Sequence, residues 1–140
     1  MIFNQNLDVD FLNNLGQDSM PGHLDIQFTK IGEDFIEASM PVDHKTKQPF
    51  GLLHGGASVV LAETLGSVAA MCCIDTDTQY CVGLEINANH LKPVKDGRVR
   101  GIAQPLHIGK KTHVWEIKIY TDSNTLVCIS RITIAVLDKK

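Results

Sequence analysis

With 140 residues the chain has the size of one domain, 1–140, large enough for a core of its own. Apolar residues make up 44% and charged residues 21%, ordinary fractions for a soluble protein. A net charge of −3, with the basic residues scattered, gives no reason to expect nucleic acid as a partner.

The first residues, Met1 to Asp8, lack a basic n-region and an apolar h-region, so no signal peptide is expected. Asp8 to Leu15 reads as a short helix with Val9, Phe11, Leu12 and Leu15 as its apolar stripe and Gly16 after its end. Ser19 to Gly22 is a turn. His23 to Lys30 is strand-like, with Leu24, Ile26 and Phe28 alternating against polar neighbours. Phe35 to Val42 is a second strand, and the two form a hairpin around Gly32-Glu-Asp34. Asp43 to Gly51 is a polar loop. A helix begins at Gly55 or Gly56 and runs to about Cys73. Four strands follow, at Cys81–Leu91, Arg98–Ile108, Thr112–Tyr120 and Leu126 to about Leu137. Short turns at Lys95-Asp-Gly97, Gly109-Lys-Lys111 and Thr121–Asn124 argue for an antiparallel meander. The expected class is α+β: one antiparallel sheet of about six strands wrapped around one long helix. Such a sheet leaves its edges and second face to be covered, which favours dimerisation.

The central helix is apolar around nearly its whole circumference, so burial on all sides is expected. Glu63 is its only formal charge, and burying an unpaired carboxylate is costly. Two readings are open. Glu63 is paired with a distant cation or protonated, or it belongs to a site. Ser67 lies one turn on and shares its face. His54, Gly55 and Gly56 stand at the helix start, where free backbone N–H groups can polarise a carbonyl. Gln48, in the loop before them, carries an amide that both donates and accepts, and taken alone reads as a solvated loop residue.

Geometry adds a constraint. Eight residues of helix from Gly55 to Glu63 rise about 12 Å, of which the side chain recovers ~4 Å. A carboxylate attacking a carbonyl held by an N–H allows a span of at most ~7 Å. Glu63 and the Gly55 N–H of one chain therefore do not reach one carbonyl, whereas two antiparallel copies of the helix would complete a shared, two-fold site.

Other chemistry finds less support. The six histidines show no metal-ligand spacing, and no metal is expected. Ser58 lacks the G-x-S-x-G elbow of a serine hydrolase. The four cysteines form no C-x-x-C; adjacent Cys72 and Cys73 read as small core residues, and a reducing cytoplasm fits them. The helix from Gly56 to Cys73 approaches membrane-span apolarity, but Glu63 and its small-residue breaks favour a buried helix, not a membrane one. Asn89-His90-Leu91-Lys92 and His107-Ile108-Gly109-Lys110-Lys111 are basic turns that are either simply solvated or able to meet phosphates.

Gln48-Pro-Phe-Gly-Leu-Leu-His-Gly-Gly-Ala, followed by Glu63 and Ser67, resembles the hotdog-fold acyl-CoA thioesterases whose acid is a mid-helix glutamate. The likeness extends over the whole chain. Met40-Pro-Val-Asp, Val82 to His90 and Ser130-Arg-Ile-Thr make it similar to the bacterial 1,4-dihydroxy-2-naphthoyl-CoA hydrolases of menaquinone synthesis. The resemblance implies hydrolysis of an aromatic acyl-CoA, with coenzyme A as part of the substrate and no separate cofactor. It implies Glu63 as nucleophile or general base, the Gly55 N–H as carbonyl polariser, His54 and Gln48 as orienting groups, and Ser67 as a support for Glu63 or the water. It places the coenzyme A end along Val82-Gly83, Asn89 to Lys92 and Leu106 to Lys111. Paired dimers with shared sites are implied as the assembly. A broad-range aryl or fatty acyl-CoA thioesterase, a non-catalytic acyl-CoA-binding protein and a dehydratase are the other readings. The last pairs an Asp with a His, and no His lies one or two turns from Glu63.

Overall fold

The computed structural model describes residues 1–4 and 6–140. Asp8 caps helix α1 (Val9–Leu15), its carboxylate accepting the Phe11 N–H at 2.8 Å. Leu12 is fully buried against the sheet, whereas Phe11 and Leu15, expected in the same stripe, are half exposed. A helix of two turns lying on one strand buries a single line of residues. The expected turn at Ser19 extends into a one-turn helix α2 (Met20–His23) started by Pro21, and Asp25 then takes a left-handed φ of 57°. Strand β1 (Gln27–Ile31) therefore begins four residues later than the alternation predicts. It pairs with β2 (Ile36–Pro41) as the expected hairpin.

Helix α3 spans Gly55–Met71. Strands β3 (Gln79–His90), β4 (Arg98–Ile108), β5 (Thr112–Thr121) and β6 (Leu126–Asp138) complete one six-stranded antiparallel sheet of order β1-β2-β4-β5-β6-β3. The sheet wraps α3 in the hotdog arrangement. Ala57, Leu61, Ala62, Leu65, Ala69 and Ala70 face it and are buried, and across from them Ile36, Met40, Trp115, Ile117, Ile119 and Ile132 are fully enclosed. The Phe3 ring stacks on Trp115 with centroids 6.2 Å apart, and the Asn4 N–H caps the helix end at the Cys72 carbonyl.

Two expectations are corrected. The last four strands are not one meander. β4, β5 and β6 follow as hairpins, but β3 pairs with β6 through eleven registered residues and lies at the far edge. The seven-residue connection Leu91–Gly97 contains Pro93 and is longer than a hairpin turn. It reaches ~23 Å when extended, enough to pass three strand spacings of ~4.8 Å. Nor is α3 buried on all sides. A single sheet covers one face of a helix, so Val59, Val60, Thr64, Ser67 and Val68 are half exposed and Glu63 is exposed.

Candidate active site

The loop before α3 is fixed by Thr46, which is 1% exposed. Its hydroxyl donates to the Pro41 carbonyl at 2.8 Å and accepts the Asp43 N–H at 3.0 Å. Its carbonyl accepts the His54 N–H at 2.7 Å, tying the end of β2 to the start of α3. On the outside Lys45 donates to the His23 carbonyl and to Asp25 at 2.7 Å, and this contact holds the Asp25 carboxyl below its usual range. Lys47 and Leu53 bridge across the tight turn between them, where Gly51 takes a φ of +83°.

That turn orients Gln48. Its Oε1 accepts the Phe50 N–H, so the two amide hydrogens are left to point away from the turn. His54 is the N-cap of α3, with Nδ1 accepting the Gly56 N–H at 2.8 Å. An accepting Nδ1 fixes the proton of the neutral ring on Nε2, which becomes a donor. The Ala57 and Ser58 N–H groups both go to the His54 carbonyl. Among the described residues this leaves the Gly55 N–H as the free donor of the helix start. The two glycines permit this packing. A Cβ at Gly55 would meet His90 Nε2 at 2.8 Å, and one at Gly56 would meet His54 Nδ1 at 2.9 Å.

Gln48, Gly55, Ser58, His90, Leu91 and Lys92 line an open cleft of about 310 Å³. It offers an amide, a free backbone N–H, a hydroxyl, an imidazole and an ammonium around an apolar floor that includes Val94 and Val127. That set can hold and polarise a carbonyl. It contains no carboxylate. Glu63 lies two turns further along α3, exposed, with Oε1 2.9 Å from where a Cβ of Gly83 would stand. The helix is continuous between Gly55 and Glu63, so the ~12 Å rise applies. Ser67 makes no hydrogen bond to Glu63 among the described residues. It lines a second, more apolar cleft of about 380 Å³ with Val68, Met71, Ile74, Tyr80 and Cys81.

The residues expected to meet coenzyme A fall into two groups that one chain does not bring together. Asn89, His90, Leu91 and Lys92 are exposed at the end of β3 that pairs with Cys128. Leu106, His107, Ile108, Lys110 and Lys111 are exposed around the β4–β5 turn, which Gly109 closes by donating to the Thr112 carbonyl. Lys111 lies beside Val136, at the Gln79 end of β3. Ten residues of β6 separate Cys128 from Asp138, about 33 Å at ~3.3 Å per residue. Val82 and Gly83 lie between them on the exposed edge.

The thiols are poor nucleophiles. Burial pushes Cys72 up to about 12 and Cys73 up to about 11, each raised further by a neighbouring cysteine. Among the described residues no three His, Cys, Asp or Glu side chains gather as metal ligands, and no helix is long and apolar enough to cross a membrane. Sequence reasoning passed over Thr46 and set Ser58 aside as a failed nucleophile. The available signal for Ser58 was its position three residues after Gly55, on the same helix face.

The fold and the cleft define a class, a hotdog domain with a polar cleft at the start of its central helix. Residues 50–128 match the Thioesterase superfamily, and the chain belongs to that family. It is 53% identical over 137 residues to the 1,4-dihydroxy-2-naphthoyl-CoA hydrolase of Escherichia coli, covering 98% of this chain and 100% of that one. A crystal structure of a Pseudomonas aeruginosa thioesterase carrying a Gln-to-Ala substitution superposes with a TM-score of 0.97 at 47% identity, covering 99% and 100% of the two chains. A Staphylococcus aureus thioesterase, 43% identical, has been solved as a Glu-to-Ala variant (TM-score 0.82, 85% of this chain and 98% of that one) and as a Gln-to-Ala variant (TM-score 0.80, 83% and 96%). The two substituted positions there are fifteen residues apart, the spacing of Gln48 and Glu63.

Proposed function

We propose that the chain hydrolyses an aromatic acyl-CoA, 1,4-dihydroxy-2-naphthoyl-CoA, to the free acid and coenzyme A, in active sites shared by two copies. One observation carries the reading: the free Gly55 N–H, the Gln48 amide hydrogens and His90 converge on one cleft, while the acid of the same helix faces an open sheet edge. The identity to the E. coli enzyme supports the choice of acyl group. The thioester carbonyl oxygen accepts from the Gly55 N–H. The partner's carboxylate at position 63 attacks the carbonyl carbon or removes a proton from the attacking water. Charge then develops on the oxygen, where the helix-start donor is already aimed. Collapse expels the coenzyme A thiolate; on the general-base route this leaves the free acid, and on the nucleophilic route it leaves an anhydride on the carboxylate at position 63 that water then hydrolyses to the free acid. A thioester is electrophilic enough for a carboxylate to suffice without metal or triad.

Two copies of β3 paired edge to edge run antiparallel. That brings the Asn89–Lys92 end of one chain toward the Lys110-Lys111 end of the other and gathers the two cation groups that one chain holds apart. A pair of such dimers is the assembly we expect, and four free thiols suit a reducing cytoplasm.

The test is hydrolysis of a panel holding the naphthoyl, benzoyl, phenylacetyl and medium-chain fatty acyl thioesters, wild type against Glu63→Gln. Turnover should be led by the naphthoyl substrate and fall at least ~10²-fold in the variant. Equal turnover of every thioester would make the enzyme a broad-range one. Binding without hydrolysis by the wild type would sink the enzymatic reading.

A further inference from the structure

Among the described residues four polar ones are buried: Thr46, Ser58, His113 and Ser130. Thr46 is consumed by the loop it fixes, and His113 and Ser130 lie on the inner wall of the sheet. Ser58 alone lines the cleft that holds Gly55. It is 3% exposed, and its N–H goes to the His54 carbonyl at 3.2 Å. Among the described residues its hydroxyl has no partner within the chain. Among the described residues the sealed polar side-chain atoms without a partner are His113 Nδ1, Trp115 Nε1 and Ser130 Oγ; the Ser58 Oγ is not one of them, so it opens onto the cleft and is free to meet a ligand. Helical side chains lean toward the N-terminus and cover the preceding turn. Ser58, three residues after Gly55 on the same face, therefore tips its hydroxyl toward the free Gly55 N–H.

We propose that the Ser58 hydroxyl is a second donor to the thioester carbonyl oxygen, beside the Gly55 N–H, and that Ser58 is a catalytic residue. The inference rests on the hydrolase reading above. As the carbonyl carbon is attacked, its π electrons move onto oxygen and the two donors share that charge. The hydroxyl proton stays on Ser58 Oγ throughout. When the intermediate collapses, the electron pair returns and the C–S bond breaks toward coenzyme A. Ser58 forms no covalent bond.

The experiment combines kinetics with a vibrational probe. Ser58→Ala should lower kcat on the order of 10²-fold, the scale for removing one such donor, with KM within about threefold. Ser58→Cys, similar in size with a weaker donor, should fall between the two. Benzoyl-CoA labelled with ¹³C at the carbonyl, bound to Glu63→Gln, should show a C=O stretch below that of the free thioester. Adding Ser58→Ala should move the stretch part of the way back. A residue that merely packs would leave it unchanged. A kcat within about twofold of wild type, or an unmoved stretch in the double variant, overturns the proposal while leaving the hydrolase reading in place. Full turnover by Glu63→Gln alone takes the acid's role from Glu63, whereas binding without hydrolysis by the wild type overturns the hydrolase reading and the proposal with it.

Discussion

At one edge of the sheet, the backbone of β1 finds partners inside the chain. The Asn13 amide accepts the Phe28 N–H at 2.7 Å and donates to the Phe28 carbonyl at 3.1 Å, imitating the strand that is absent there, and α1 lies alongside. At the other edge, β3 runs for 12 residues with no strand of the described residues on its outer side, presenting Tyr80, Val82 and Leu84 to solvent. Long apolar edges are pairing sites unless they are blocked. One edge is closed by the chain itself, and the other is where the proposed second copy would pair. The candidate acid and the Val82-Gly83 and Asn89–Lys92 residues lie along the open one, and Lys110 and Lys111 lie near its Gln79 end. The difference separates what makes the domain stable from what would make it active.

Breaking the open edge should have the largest effect. Leu84 sits at the bulge between Gly83 and Glu85 and is 64% exposed. Leu84→Lys places on the edge the charge with which natural sheets block pairing. The variant should sediment as a monomer and lose at least ~10²-fold in kcat, the scale for taking the polarising N–H away from the acid. A monomer that keeps full activity would show each chain to be self-sufficient and would remove the shared site.

The closed edge should answer in stability alone. Asn13→Ala leaves a partly buried N–H and carbonyl of β1 unpaired. It should cost about 1–3 kcal/mol in denaturant unfolding and leave kcat unchanged. A loss of activity comparable to that of Leu84→Lys would join the two edges into one functional unit and end the contrast.

The legibility of the chain follows the same division. Local chemistry was readable: Gly97 and Gly109 bracket β4 so sharply that both its ends match the strand read from sequence, and His54-Gly55-Gly56 marks the start of α3. Long-range choices were not. Nothing in Gln79–His90 says that it pairs with β6 rather than β4, because register is decided by which strands close the core, and residues 91–97 look like a turn as much as a crossover. The exposure of Glu63 was hidden for a related reason. A helix apolar on every side has no period from which to read its buried face, and its outer face is where the proposed second copy would pack. The site residues could be picked by type. That Gln48, Gly55 and His90 share a cleft, while Glu63 stands apart from it, needed the fold.

A change between the edges should disturb neither and give the smallest effect. His113 lies on β5, 1% exposed, and among the described residues its Nδ1 has no partner. Burial holds its pKa below the usual 6.5, and the neighbouring His107 pushes the same way; the nearby Gly109 backbone partly offsets them. The unfolded chain, with an ordinary imidazole, therefore takes up a proton first as the pH falls. Above 6.5 both states are neutral and His113 adds no pH dependence. Below it the unfolded state is favoured, and stability drops until the pH passes the depressed value of the folded state. One proton limits that slope to about 1.4 kcal/mol per pH unit. His113→Leu should remove it. Unfolding curves at pH 7.5, 6.5 and 5.5 should diverge between the two proteins only on the acid side, with activity at pH 7.5 the same. Parallel losses in both would mean that a group other than His113 carries the acid sensitivity.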